Sequence, residues 1–208
     1  MTSATNPAEA GFGPLLFSCL AAVFALFLSS CVSTNVRTFA TPEEATAAIV
    51  TAAEAGDLEE ANRIFDSFAR SSVQRDRVYA SLFDTAEDRY ESGRSGDAAS
   101  IFAFVSSRYP NAVAARESLV YALFLDRASS GQVSADSTEA LANAIDDFRA
   151  GSQTPSAWVD LAETQLSIDQ GDLGRARTSF DSFLSAWDGS PPELLVYVED
   201  IGRYLQTH

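Results

Sequence analysis

Four glycines, Gly56, Gly93, Gly131 and Gly171, recur at intervals of 37, 38 and 40 residues, each closing one helical stretch and preceding another. A near-constant period of this length marks a stack of supersecondary units, in which each unit buries its apolar face only against its neighbours. The segments that follow the glycines read LEEANRIFDSFAR, AASIFAFVSSRYP, TEALANAIDDFRA and GRARTSFDSFLSAW. Three of them place alanine and phenylalanine four residues apart: Ala61 with Phe65, Ala98 with Phe102 and Ala176 with Phe180. On a helix the two share a face one turn apart, so the small residue admits a neighbouring helix and the ring fills the groove between them. No stretch sustains a period-two alternation, and the pattern predicts an all-α fold of about four helix–turn–helix repeats.

Capping chemistry marks the starts of the helices. Thr41, Pro42 and Glu44 supply an N-cap, a proline at the first helical position and a capping-box glutamate. The same grammar recurs at Ser190, Pro191 and Glu193, and in reduced form at Thr154 and Pro155. Asp57 with Glu60 and Asp136 with Glu139 are two further boxes. The final stretch, PPELLVYVEDIGRYLQT, predicts a helix that covers the exposed end of the stack.

Glycine followed at plus five by alanine, at plus nine by phenylalanine and, in the second unit, at plus seventeen by Pro110 is the offset pattern of the tetratricopeptide repeat, which residues 41–190 resemble. Trp158, Leu161 and Ala162 look like the first-helix signature of that family, and Ala86 holds the matching small position in the second unit. The third unit departs from the pattern, because QVSADST follows Gly131 and the alanine and phenylalanine offsets fail. The stretch FAFVSSRYPNAVAARESLVYALF is similar to the variant found in periplasmic envelope proteins, including a lipoprotein of the outer-membrane barrel-assembly machinery. The resemblance implies an α-solenoid over residues 41–208 whose first helices line a concave, peptide-binding face. Carried onto this chain, that face includes Phe83, Glu87 and Tyr90 in the second unit and Val159, Glu163 and Leu166 in the fourth.

Ahead of the repeats, residues 15–28 (LLFSCLAAVFALFL) carry no charge. About 14 helical residues span about 21 Å, short of the ~30 Å hydrocarbon core but suited to the apolar region of a signal peptide. Leu28, Ser29, Ser30 and Cys31 resemble the bacterial lipobox, which implies cleavage between Ser30 and Cys31 and a diacylglycerol on the Cys31 sulfur. Residues 1–30 are then a lipoprotein signal peptide, 31–40 a lipidated tether and 41–208 the repeat domain. The first 14 residues hold no Lys or Arg and include Glu9, unlike an ordinary signal-peptide start. Two alternatives stay open, an uncleaved anchor over about Gly11 to Val32 and the signal peptide of a soluble protein. Acyl chains contribute about 0.8 kcal/mol per buried CH₂, so two or more hold a protein firmly to a membrane. Val32 after the cysteine, rather than Asp, matches the outer-membrane sorting pattern of such lipoproteins, facing the periplasm.

The net charge of -15 would repel phosphate, which argues against nucleic acid as a partner. Cys19 and Cys31 are the only cysteines, so the chain after Cys31 has neither a disulfide nor a thiolate metal site. The single histidine is His208, and lysine is absent. Ser/His and Cys/His pairs, histidine metal clusters, Walker-type phosphate loops and Schiff-base chemistry therefore have no residues to build on. No cofactor or metal is expected, and Trp158 and Trp187 read as packing residues. Asp84 with Asp88 and Glu87 with Glu91 lie four apart on one helix face and leave open an enzyme or accessory of cell-wall polymer metabolism. A self-associating structural protein is a further alternative. The leading expectation is a non-catalytic, membrane-anchored scaffold that binds an envelope protein or peptide.

Overall fold

The computed structural model describes residues 39–130, 133–190 and 192–208, and among these the regular structure is nine α-helices with no strand. They are α1 (Pro42–Glu54), α2 (Leu58–Phe68), α3 (Ser72–Glu91), α4 (Ser95–Arg108), α5 (Val113–Ser130), α6 (Ala135–Gly151), α7 (Ala157–Asp169), α8 (Leu173–Ala186) and α9 (Leu195–Thr207). A single 3-10 turn, Pro192–Leu194, leads into α9. The all-α expectation holds. The signal peptide, the Ser30/Cys31 cleavage and lipidation site, most of the tether, and Gly131 lie outside the described residues.

The first start signal works as its sequence implies. Thr41 Oγ1 accepts from the Glu44 N–H at 3.2 Å, while Glu44 Oε2 reaches back to the Ala40 N–H at 2.9 Å. Asp57 Oδ1 caps α2 through the Glu60 N–H at 2.9 Å. Two other starts differ from expectation. Helix α6 is capped by Ser134, whose hydroxyl accepts from the Ser137 N–H at 3.0 Å. Asp136 sits inside the first turn instead, where its charge faces the positive end of the helix dipole. Helix α7 is capped by Ser156, not Thr154, because the buried Ser156 hydroxyl serves the Val159 N–H and also donates to the Glu117 carboxylate on α5. A contact between helices thus decides that boundary. The signal at Ser190 to Glu193 falls partly outside the described residues, and α9 itself begins at Leu195 without a side-chain cap.

The corners between paired helices are built alike. Gly56, Gly93 and Gly171 follow α1, α3 and α7 with φ of 75°, 78° and 75°, the left-handed region that glycine enters without a Cβ penalty. Each glycine N–H returns to the carbonyl three residues back, at Ala53, Tyr90 and Ile168. The next N–H returns to the carbonyl five back, at Ala52, Arg89 and Ser167, which completes a Schellman motif.

Within each successive pair, α1–α2, α3–α4, α5–α6 and α7–α8, the second helix packs on the first. Neighbouring pairs meet through α1 with α3 and α4, through α4 with α5, and through α7 with α5 and α6. Helix α9 packs on α8. The alanine–phenylalanine pairs are buried, with Ala61, Ala98 and Ala176 fully enclosed and Phe65, Phe102 and Phe180 nearly so. In α6, where those offsets fail, Leu141, Ala144, Ile145 and Phe148 take the core positions. Buried side chains gather into two apolar clusters, one over α1–α5 and one over α5–α9. Helix α5 belongs to both: Ala115 and Ala122 face the first, Val120 and Phe124 the second, and Leu119 and Leu123 pack against each.

Candidate functional site

The six residues assigned to a peptide-binding face separate into three kinds. Val159 and Leu166 are 0% and 4% exposed. They are core residues, because they lie on the faces of α7 that meet α5, α6 and α8. Phe83 is half-buried, with its ring centroid 5.4 Å from that of Phe102 in a T-shaped contact. Glu87 is exposed and Tyr90 half-buried. Glu163 enters a charged network.

That network joins three helices. Arg149 of α6 contacts Asp160 and, at 3.0 Å, Glu163, both on α7, and Arg175 of α8 reaches Glu163 at 2.6 Å. Burial by itself would raise the Glu163 carboxyl, but hydrogen bonds from Arg175 and Arg149 outweigh it and hold the group below its ordinary value. The four charges border a cleft of about 420 Å³ that also includes Ser152, Thr154 and Pro155. Two positive and two negative charges satisfy one another here, so the arrangement clamps α6, α7 and α8 rather than offering an unpaired charge to a ligand.

A second constellation runs across the first helices of the last three pairs. The Tyr90 ring on α3 lies 5.4 Å from Tyr121 on α5, and Tyr121 lies 4.6 Å from Trp158 on α7. On the same stretch of α5, Phe124 lies 6.4 Å from Tyr121 and 5.9 Å from Tyr197 of α9. Tyr90, Tyr121, Trp158 and Tyr197 are all half-buried, which leaves part of each ring facing solvent. The hydroxyls of Tyr121 and Tyr197 are held protonated above their ordinary range, chiefly by burial, then by Tyr90 for the first and Asp169 for the second. Such a track offers apolar and aromatic contact area at low entropic cost, and its hydroxyls serve as donors rather than as acids or bases near neutral pH.

Of this track, Tyr90 is expected from sequence as a binding residue and Trp158 as packing, whereas Tyr121 and Tyr197 are not among the expected residues. Their signal was present: Tyr121, Phe124 and Ala128 follow the i, i+3, i+7 spacing of one helix face. Trp187 is a packing residue as expected, stacked 5.3 Å from Phe183 with its Nε1–H donated to the Ser190 carbonyl at 2.8 Å. Asp84, Glu87, Asp88 and Glu91 stand exposed on α3. Among the described residues no cluster of His, Cys, Asp and Glu is arranged to hold a metal ion, and no helix is long and apolar enough to cross a membrane.

No protein-family model, curated protein or solved structure matches this chain.

Proposed function

We propose that this chain is a lipid-anchored, tetratricopeptide-like α-solenoid that acts as a non-catalytic scaffold, holding a protein segment along its first helices at the periplasmic side of a bacterial outer membrane. The observation that carries the reading is the threefold recurrence of one corner. Gly56, Gly93 and Gly171 share a conformation and a hydrogen-bond pattern, and each is followed at fixed offsets by a buried alanine and phenylalanine. Repetition of a corner at that period supports a stacked array, and arrays of this kind expose a continuous face for recognition. The half-buried rings of Tyr90, Tyr121 and Trp158 lie on α3, α5 and α7, the first helices of three successive pairs. The lipobox at Leu28–Cys31 supports the anchor, as a feature of sequence.

The exposed carboxylates of α3 favour the scaffold over wall chemistry, since a solvated acid lacks the desolvated setting by which enzymes tune carboxyl groups. Intact mass of the full-length chain extracted from membranes tests the anchor. The expected mass is that of residues 31–208 plus diacylglycerol, and a species that keeps Cys19 overturns it. Photo-crosslinkers placed at Glu87 and Tyr90 in the membrane-bound protein test the binding face. A discrete crosslinked partner is expected, and none at either position would rule out the proposed face.

A further inference from the structure

Where α5, α7 and α9 meet, Phe124, Ala128, Val133 and Tyr197 border an open-mouthed cavity of about 220 Å³ with Arg127, Gln165 and Asp169. Arg127 is 6% exposed, and its guanidinium is only partly satisfied. Nη2 donates to Asp169 Oδ2 at 2.6 Å, whereas Nε and Nη1, both buried, meet no acceptor among the described residues. The remaining polar groups are already committed to one another. The Tyr197 hydroxyl donates to Gln165 Oε1 at 2.6 Å, and Gln165 Nε2 donates to Asp169 Oδ1 at 2.9 Å. The chain of donors thus runs from Tyr197 through Gln165 to Asp169, and the buried donor atoms of the cavity left without any acceptor are Nε and Nη1 of Arg127. A buried, unpaired guanidinium N–H costs free energy, which an acceptor placed in the cavity would recover.

We propose that this cavity receives one apolar residue of a bound peptide segment, with that residue's backbone carbonyl accepting from the free N–H groups of Arg127. The inference rests on the scaffold reading and names where along the face a segment is held. Three features select a neutral carbonyl over a carboxylate. The charge of Arg127 is already balanced by Asp169, so a second anion would sit beside the first and be repelled by it. The chain as a whole carries a net charge of -15, which disfavours an anionic guest. The cavity also has the size of a single aliphatic side chain with its peptide group, and Phe124, Ala128, Val133 and Tyr197 give it apolar walls. It opens beside a second, wider hollow of about 550 Å³ that includes Tyr90 and shares Ala128, so a segment lying on the aromatic track passes its mouth.

The test follows the arginine Nε–H resonances of the full-length, ¹⁵N-labelled chain in detergent micelles, titrated to tens of millimolar with N-acetyl-leucinamide. Arg127→Lys assigns the signal. A saturable shift of the Arg127 Nε–H is expected, with a dissociation constant on the order of millimolar for so small a probe. Ala128→Trp fills the mouth from an exposed position while leaving the Arg127–Asp169 pair in place, and is expected to abolish the shift. In the titration, two results overturn the proposal. An Nε–H that no probe moves means that the cavity holds water only, and N-acetyl-leucine binding as tightly as its amide means an anion site instead. Crosslinking from Glu87 in the Ala128→Trp protein separates this inference from the broader one. Crosslinks that persist undiminished keep the scaffold and remove the cavity as its anchor, crosslinks lost with the shift support both, and a saturable amide shift in a protein that crosslinks to nothing keeps the cavity and removes the scaffold.

Discussion

Tyr109 shows how a residue at the end of a helix does several jobs at once. It ends α4, packs edge-on against Phe65 and Tyr79 at 5.8 and 4.9 Å, and donates its hydroxyl to the Arg75 carbonyl at 2.6 Å. Burial pushes that hydroxyl up to about 12. A raised value means that the folded state keeps its proton where the unfolded chain, at about 10, has lost it. Stability from Tyr109 is therefore complete below about pH 10 and is lost as pH rises toward 12. Tyr109→Phe is expected to cost about 1 kcal/mol at neutral pH and to flatten the alkaline decline, as read from denaturant midpoints across pH. Glu163 has the opposite sign. Held low by Arg175 and Arg149, it contributes stability above about pH 4.5 that is lost as pH falls through its folded value. Glu163→Gln should cost about 2 kcal/mol near neutrality and leave a shallower acid limb. At this scale, charge and burial were only partly legible. Glu163 was singled out for a groove by analogy, whereas Arg149 and Arg175, which fix its state, lie 14 and 12 residues away on other helices. Arg127 is an arginine like any other in sequence, since only the packing of α7 and α9 around it makes it buried and half-satisfied.

At the scale of helices, the corners were the most legible feature because their cause is local. A left-handed residue is needed after α1, α3 and α7, and glycine supplies it with open space where a Cβ would stand. Gly93→Ala should therefore act through backbone strain alone and destabilise by about 1–2 kcal/mol, a shift of unfolding midpoint that Gly56→Ala and Gly171→Ala should match within error. Unequal losses would mean that the corners are not equivalent. Helix starts were less legible, because several cap-forming residues stood within reach of each. Ser134 outcompeted Asp136, and Ser156 outcompeted Thr154 by also bonding Glu117 on a different helix. The full capping box of Ser71 and Gln74 at α3 carries its signature in sequence, but without the proline that marks the start at Thr41. Burial on α7 was illegible for the reason that governs most apolar helices: Val159 and Leu166 look the same whether they line a groove or a core.

For the molecule as a whole, the all-helical class followed from the absence of alternation and the period of the glycines. The division of the core did not, since it depends on which faces of α5 meet which neighbours. A chain of independent repeats would unfold piecemeal, each pair with its own midpoint. Here Phe104→Ala, in the cluster over α1–α5, should remove about 3–5 kcal/mol, and hydrogen exchange should record the loss in α7 and α8 as well as in α4. Protection that falls only in α1–α5 would show the halves to be separate. The shared helix also constrains how such a gene can change length. Recombination between like repeats adds or drops a unit silently only where every junction is interchangeable. A crossover inside α5 would instead join alanines fitted to one set of neighbours with the face of Val120 and Phe124 that was shaped by another. Insertions and losses of whole units in descendants of this sequence should therefore accumulate on either side of that helix and spare the helix itself.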